Sequence, residues 1–424
     1  ATAQQLDSLP VARSFFLSDA VTSPHVRYQT LTRNMRLRKG AKMCSLLPLE
    51  GVSEQDVIAQ ISGSAKQTYT DAVFHSAFHM EVMNKRNLTE ERKDTNEDFL
   101  LRPFQSVVYT DCQAFGAGCC CLQATFGCTN LAEASYLYDQ FVVIAPLLLA
   151  LSAASPCVKG TLTAFDTRWD LMSQTWDDRR AGENFSSEFS MTGTIDVESN
   201  KVGFGRFYSP RLYTSEDIDT QTLHDVPCSV HAKGFELLRG SGVPENLSRH
   251  VSSLFVRDAL VVFKERVDLD ETHDLDHFNS LNSTNWTTVR LKVPERDKNL
   301  PWRLEVRCPE IQLTDFENAA LVTLIHALVN HLLRLRRSTG KDQTGKQYDN
   351  LLLPISLVDE NMRRSAQRNA ITSQKFWWCG GEMNEYLEKR CRKYSSMKKL
   401  ACSSWLTEIC YKLNLLRTIF PRET

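Results

Sequence analysis

The stretch from Trp302 to Arg307 puts Arg303, Glu305 and Arg307 on one face of a candidate strand and Leu304 and Val306 on the other, because side chains alternate along a strand. A carboxylate held between guanidinium groups is equipment for gripping a metal or a charged substrate. Three more segments read similarly. Between Cys119 and Phe126, Cys119, Cys121, Gln123 and Thr125 share a side opposite Cys120, Leu122, Ala124 and Phe126. Asp166, Arg168 and Asp170 share a side in a third segment, and Thr288, Arg290 and Lys292 in a fourth. Any one of these faces alone reads as the solvated side of an antiparallel sheet. Chemistry requires them to converge, which a curved sheet with helices outside and polar groups on its concave side would achieve.

Two helices are well signalled as supports for such a sheet. Asn130 with Glu133 three residues on resembles a capping pair before the apolar segment Leu131 to Ala154, where Pro146 is expected to kink or divide the helix. Thr314 and Glu317 form a capping box before Asn318 to Arg337, whose apolar residues recur at helical spacing and whose basic end complements the macrodipole. Residues Lys85 to Asp98 and Ser338 to Asn350 are almost wholly polar and read as exposed insertions, and Lys201 to Tyr208 is a short candidate strand.

At 424 residues the chain accommodates one large domain or several small ones. Fifty basic and 51 acidic residues nearly cancel, so nothing global points to nucleic acid or to a membrane surface. The longest apolar run, Phe141 to Ala154, is shorter than a bilayer span, and the N-terminus carries no secretory pattern, which together give a cytoplasmic expectation. Thirteen cysteines, three of them consecutive at Cys119 to Cys121, suit reduced thiols rather than a disulfide framework or a zinc site.

Other signals yield to plainer readings. Gly340 to Gln347 nearly spells a phosphate-binding loop, but Gln347 replaces the required hydroxyl and a helix precedes it. His75 and His79 lie one helical turn apart without a zinc-protease glutamate between them. The basic run Lys389 to Lys399 reads as a solvated face, and Cys379, Cys391, Cys402 and Cys410 fit no zinc template.

A family resemblance connects these pieces. The strings TLTRNMRLRKG (Thr30 to Gly40), YTDCQAFGAGCCCLQATF (Tyr109 to Phe126), DTRWD (Asp166 to Asp170), Asp177-Asp178-Arg179, LFVRDAL (Leu254 to Leu260), STNWTTVRLKVP (Ser283 to Pro294), WRLEVR (Trp302 to Arg307), QLTDFENAA (Gln312 to Ala320) and VDENM (Val358 to Met362) occur in one order. In this they are similar to the eukaryotic glutamate-cysteine ligases.

The resemblance implies an α+β fold like that of glutamine synthetase, a strongly twisted, mainly antiparallel funnel with helices outside. It implies a catalytic core over residues 1–376 and a divergent helical segment over 377–424. It also implies the activity: ATP phosphorylates the γ-carboxylate of L-glutamate, and the amine of L-cysteine displaces the phosphate to give γ-glutamylcysteine. ATP and Mg2+ are the implied cofactors, and a modifier subunit or a second copy the implied partner. By the family motif Glu305 and Gln123 are expected to bind magnesium, Arg307 the transferring phosphate, and Arg168 the glutamate end, with Cys119 and Cys121 lining the substrate region. An adverse reading is a non-catalytic homologue that binds an intact partner. A third is the same chemistry with another amine.

Gly127, Thr167, Cys308 and Leu357 depart from the family pattern without removing an assigned residue. Absence matters more. The family's Glu-Val-Glu and Glu-Gly-Thr-Pro motifs, which carry most of its metal-ligand glutamates, do not occur here. The chain is therefore expected to be N-terminally incomplete and to lack full activity by itself.

Overall fold

The computed structural model describes residues 25–40, 43, 45–52, 107–110, 112–179, 183, 204–216, 218–270, 274–295, 298–338, 351–378 and 398–401. The polar insertion at 85–98, the loop at 339–350, His75, His79, positions 389–397 of the basic run and the four C-terminal cysteines lie outside these residues. The elements used below are α1 (Val26–Lys39), β1 (Ser45–Pro48), β2 (Val107–Thr110), α2 (Gln113–Ala117), β3 (Ala124–Cys128), α3 (Leu131–Leu151), α4 (Trp169–Thr175), β4 (Val289–Lys292), β5 (Trp302–Val306), α5 (Asp315–Ser338), α6 (Ile355–Ala366), β6 (Lys375–Trp378) and β7 (Lys398–Ala401). Mixed helices and antiparallel sheets that do not close into a barrel make this an α+β protein.

The chain divides into two compact units. The first takes Ala1–Cys120, Ser155–Tyr208 and Leu254–Trp286; the second takes Cys121–Ala154, Ser209–Ser253 and Thr287–Thr424.

In the first unit, β1 and β2 pair antiparallel, with Ser45 opposite Thr110 and their buried hydroxyls 2.7 Å apart. Leu31, Met35, Met43, Trp176, Phe207, Leu260 and Val261 form an apolar cluster, with Trp169 and Met172 packed against it. Trp169, Met172 and Trp176 are spaced three and four apart, the period of a helix and not of a strand. That spacing explains a correction. The Asp166 to Asp170 segment, read above as a strand, instead leads into α4, with Arg168 in αR geometry at the helix start and Asp170 in the first turn. Packing between α2 and α4 is close enough that a Cβ on Gly116 would lie 2.5 Å from the Thr175 Oγ1.

In the second unit, β3, β5 and β4 form a three-stranded antiparallel sheet in that order. Its apolar face carries Val289, Leu291, Leu304 and Val306, all buried, and α3 packs on β4 and β5. The helix starts where the sequence indicated. The Asn130 side chain accepts from the Glu133 N–H at 2.9 Å, while the Glu133 carboxylate accepts from the N–H of Thr129 at 3.0 Å.

Pro146 does not divide α3, which runs unbroken from Leu131 to Leu151. The helix is long and apolar enough to span a membrane by composition, yet 89% of its apolar stretch is buried inside the protein. The Thr314–Glu317 box closes in both directions at 3.2 Å, and the helix it starts, α5, begins at Asp315. β6 pairs with β7, which lies inside the C-terminal segment.

Candidate functional site

The sheet of the second unit brings two of the polar faces together. β5 alternates as its sequence indicated: Leu304 and Val306 are fully buried beneath, while Arg303, Glu305 and Arg307 stand on the other side. The register places Glu305 between Thr125 of β3 and Arg290 of β4. The next rung sets Arg303 between Gly127 and Lys292. Beyond the strand end, the Arg307 N–H donates to the carbonyl of Thr288 at 2.9 Å, so the pairing with the β4 side continues by one residue.

The result is one carboxylate shared by three cations. Lys292 Nζ lies 2.7 Å from Glu305 Oε1, and Arg307 Nη1 lies 2.8 Å from Oε2. Arg290 Nη1 approaches the same Oε2 at 3.5 Å. Burial pushes the Glu305 carboxyl up, but Arg307, Lys292 and Arg290 outweigh it and hold its pKa below the ordinary glutamate value. Arg307 also donates to Gln123 Oε1 at 3.4 Å. Gln123 in turn donates to Cys121 Sγ at 3.1 Å. Arg303, on the same strand face, serves the edge instead: it holds Glu295 at 2.6 Å and the Val293 carbonyl at 2.9 Å.

The cysteine-bearing strand is shorter than its sequence suggested. Residue pairing in β3 begins at Ala124, and Cys121 makes only an isolated bridge to Glu310. Cys119 lies just beyond the short helix α2 in the first unit, donating to the carbonyl of Phe115 at 3.6 Å. All eight described cysteines are free thiols.

Arg168 belongs to the first unit, where it is buried. Its Nη1 donates to the Cys119 carbonyl at 3.5 Å, and its guanidinium lies over the Phe207 ring at 5.8 Å. The residues named from the sequence therefore form two groups. Gln123, Glu305 and Arg307 adjoin in the second unit together with Cys121, and Arg168 adjoins Cys119 in the first.

The sequence reading assigned no role to a second charged cluster, in the first unit. Asp178 is fully buried and pairs with Arg206 at 2.7 Å and Arg257 at 3.2 Å, with Arg38 at 3.7 Å. Its neighbour Asp177 pairs with Arg179 at 2.6 Å; burial opposes ionisation, but Arg179 and Lys39 hold the Asp177 carboxyl well below the usual range. The available signal was the Asp177-Asp178-Arg179 string and the Arg-Asp pair of Arg257 and Asp258, which marked charge but gave no partners.

Magnesium asks for about six oxygen ligands at hard-cation distances. Among the described residues no three His, Cys, Asp or Glu side chains converge as metal ligands would. Glu305 is engaged by three cations, and the amide oxygen of Gln123 accepts from Arg307. These residues alone do not fit a magnesium ion. They do fit an anion, because clustered guanidinium and ammonium groups match the oxygens of phosphate and carboxylate.

Comparison with known proteins gives the family. The glutamate-cysteine ligase family profile matches residues 1–410. A glutamate-cysteine ligase of Schizosaccharomyces pombe is 35% identical over 370 residues, 87% of this chain and 48% of that protein. The catalytic subunit of the rat enzyme is 32% identical over 87% of this chain and 50% of its own length, and that of the human enzyme 31% over 97% and 57%. The chain thus spans about half the length of the curated relatives it matches. With a profile match over nearly its whole length and relatives above 30% identity, the chain belongs to the glutamate-cysteine ligase family.

Proposed function

We propose that this chain carries part of the active site for ATP-dependent ligation of L-glutamate, through its γ-carboxylate, to the amine of L-cysteine. The observation that carries the reading is the row Gln123–Arg307–Glu305–Arg290–Lys292, a cationic face on a rigid sheet in a member of this family. In the proposed reaction a γ-carboxylate oxygen attacks the terminal phosphorus of ATP and ADP leaves. The cysteine amine then adds to the acyl carbon of γ-glutamyl phosphate, and phosphate departs as γ-glutamylcysteine forms. Charge accumulates on phosphoryl oxygens in the first step. Pre-placed guanidinium groups such as Arg307 offset it without reorganising when the reaction occurs.

Arg168, buried with its guanidinium at the start of α4, is proposed to hold the glutamate end, with Cys119 and Cys121 lining the substrate region as packing thiols. Acyl-phosphate chemistry has no need of a thiol nucleophile from the protein. Magnesium enters the proposal through the family. Glu305 and Gln123 are the ligands its motif would name, and these two side chains by themselves do not complete a coordination shell. The proposal also keeps the funnel-shaped fold, a core over 1–376, a cytoplasmic location and association with a modifier subunit, the last supported by the words "catalytic subunit" in the names of the rat and human relatives.

The test is cysteine-dependent ADP release with glutamate and magnesium, measured on a protein of the relatives' full length. Glu305→Ala or Arg307→Lys should lower turnover at least on the order of a hundredfold, as loss of an electrostatic stabiliser of a transition state does. Unchanged turnover in both variants would refute the site. ADP release with other amines but not cysteine would move the proposal to a different acceptor.

A further inference from the structure

We propose that a cavity in the first unit, bounded by Arg27 of α1, the turn at Val261 to Phe263 and the helix Asp276–Ser283, binds a small monocarboxylate with an apolar body, its carboxylate held by Arg27. The site is separate from the residues assigned to the ligase reaction and does not depend on that reading.

The cavity has a volume of about 280 Å³. That is just below the roughly 300–1,000 Å³ of ordinary small-molecule pockets, so it suits a ligand of about amino-acid size. Its lining has two characters. Val261, Val262 and Phe263 are apolar, and Val262 and Phe263 are half exposed, at 49% and 48%. Neighbouring apolar side chains left open to water at a cavity are surface that a ligand's apolar body would cover. Arg27, Asn279, Ser280 and Ser283 line the same cavity with donors.

Charge decides what the polar end must be. The Arg27 guanidinium, half-buried, donates to Ser283 Oγ at 2.8 Å. Among the described residues no carboxylate pairs with it, and the side chains of Asn279 and Ser280 have no hydrogen-bond partner. The first turn of α1 contains no acidic residue that could offset the charge. The cavity's other cation is committed: Arg266 pairs with Asp276 at 3.1 Å and with Asp274 at 3.5 Å. One uncommitted guanidinium beside two occupied carboxylates fits a ligand with a single negative charge. A phosphate dianion would gain one cation and meet the repulsion of Asp276, whereas a carboxylate matches the guanidinium fork with two oxygens.

The apolar end has a further consequence. Val261 also belongs to the core cluster with Leu31, Met35 and Trp176. A ligand body against Val261 therefore touches that core from the cavity side, and binding to the folded chain alone raises its stability.

The test uses 3-phenylpropionate as the probe and this chain as the protein, in a ligand-observed NMR titration with thermal unfolding as the second readout. Two control probes separate the ends of the ligand: 3-phenylpropionamide keeps the body and loses the charge, and acetate keeps the charge and loses the body. The acid should bind on the order of tenfold more tightly than either control and raise the unfolding midpoint. Arg27→Met should bind the acid on the order of tenfold more weakly and lose the preference over the amide. Phe263→Ala, at a half-exposed position, should lose most of the preference over acetate and keep the preference over the amide. Arg307→Lys, in the other unit, should bind like the parent. Equal binding of acid and amide by the parent overturns the proposal, as does unchanged binding in Arg27→Met. Loss of binding in Arg307→Lys with Arg27→Met unaffected places the probe on the charged sheet, which overturns the proposal and leaves the ligase reading standing. Should Arg27→Met fail to fold, Phe263→Ala decides, and unchanged binding there overturns the proposal. Absence of binding by the parent chain overturns it outright.

Discussion

Glu305 in the second unit and Asp178 in the first are each shared by three cations, yet the two clusters have different physical character. Asp178 is sealed, and its partner Arg206 is held from several directions. Arg206, itself fully buried, donates to Asp178, to the carboxylate and carbonyl of Asp258, and to the carbonyl and hydroxyl of Thr284. Arg257 stacks over Phe204 at 5.3 Å. Glu305 is also buried, but its partner Lys292 is partly exposed, with 29% of its side chain accessible. The number of cations does not separate the two clusters; the exposure of the partners does. A carboxylate enclosed with all its partners fixes the chain segments meeting at it, whereas one with a partly exposed partner is held less tightly.

The largest expected effect breaks the sealed cluster. Asp178→Asn leaves Arg206 and Arg257 buried beside a neutral group, and should cost about 3–5 kcal/mol in denaturant unfolding, the range for removing one partner of a buried ion pair. A loss below about 1 kcal/mol would erase the distinction drawn between the two clusters.

A second effect of similar size comes from His250, which lies 5.1 Å from the Tyr138 ring and whose burial holds its pKa down to about 4. The folded pKa is below the unfolded one, so the unfolded chain binds the proton first. Stability is fully present above the ordinary value of about 6.5 and is lost as pH falls toward about 4, by roughly 3 kcal/mol. Asp139, pushed by burial up to about 6, changes stability in the opposite direction over part of that window. The melting temperature should therefore fall less steeply with acid in His250→Gln than in the parent. Parallel curves would show that His250 does not titrate with unfolding.

Glu305→Gln should cost less than Asp178→Asn, about 1–3 kcal/mol, because Lys292, the most exposed of its three partners, can turn to water although Glu305 itself is buried. An equal cost would place Glu305 among the sealed groups. The pH signature sharpens the point. Its folded pKa is lowered, so its contribution is present above the unfolded value near 4.5 and disappears only as pH falls through the folded one. The smallest effect is local: Thr314→Ala removes the hydroxyl that accepts from the Glu317 N–H and should cost about 1 kcal/mol, read by thermal unfolding.

Local alternation and capping were legible in the sequence wherever one physical rule acted alone. The β5 face, the start of α3 and the Thr314–Glu317 box all followed from it. Where two periods competed, the sequence misled. Asp166, Arg168 and Asp170 alternate like a strand, but the helical spacing of Trp169, Met172 and Trp176 and their burial in the first unit's core decided for α4. Pro146 was expected to kink or divide the helix; it does not divide it, and α3 is buried along most of its length.

By itself the sequence determined the family, through ordered strings that no single strand or helix explains, and the residue types on each strand face. Only the tertiary structure decided that Arg290 stands opposite Glu305, that Lys292 reaches its second oxygen, and that Asp178 gathers Arg38, Arg206 and Arg257. The reason is that strand register and buried ion pairing join residues from 13 to 140 positions apart. Such pairs are fixed by which apolar faces pack together, and a local pattern carries no information about them.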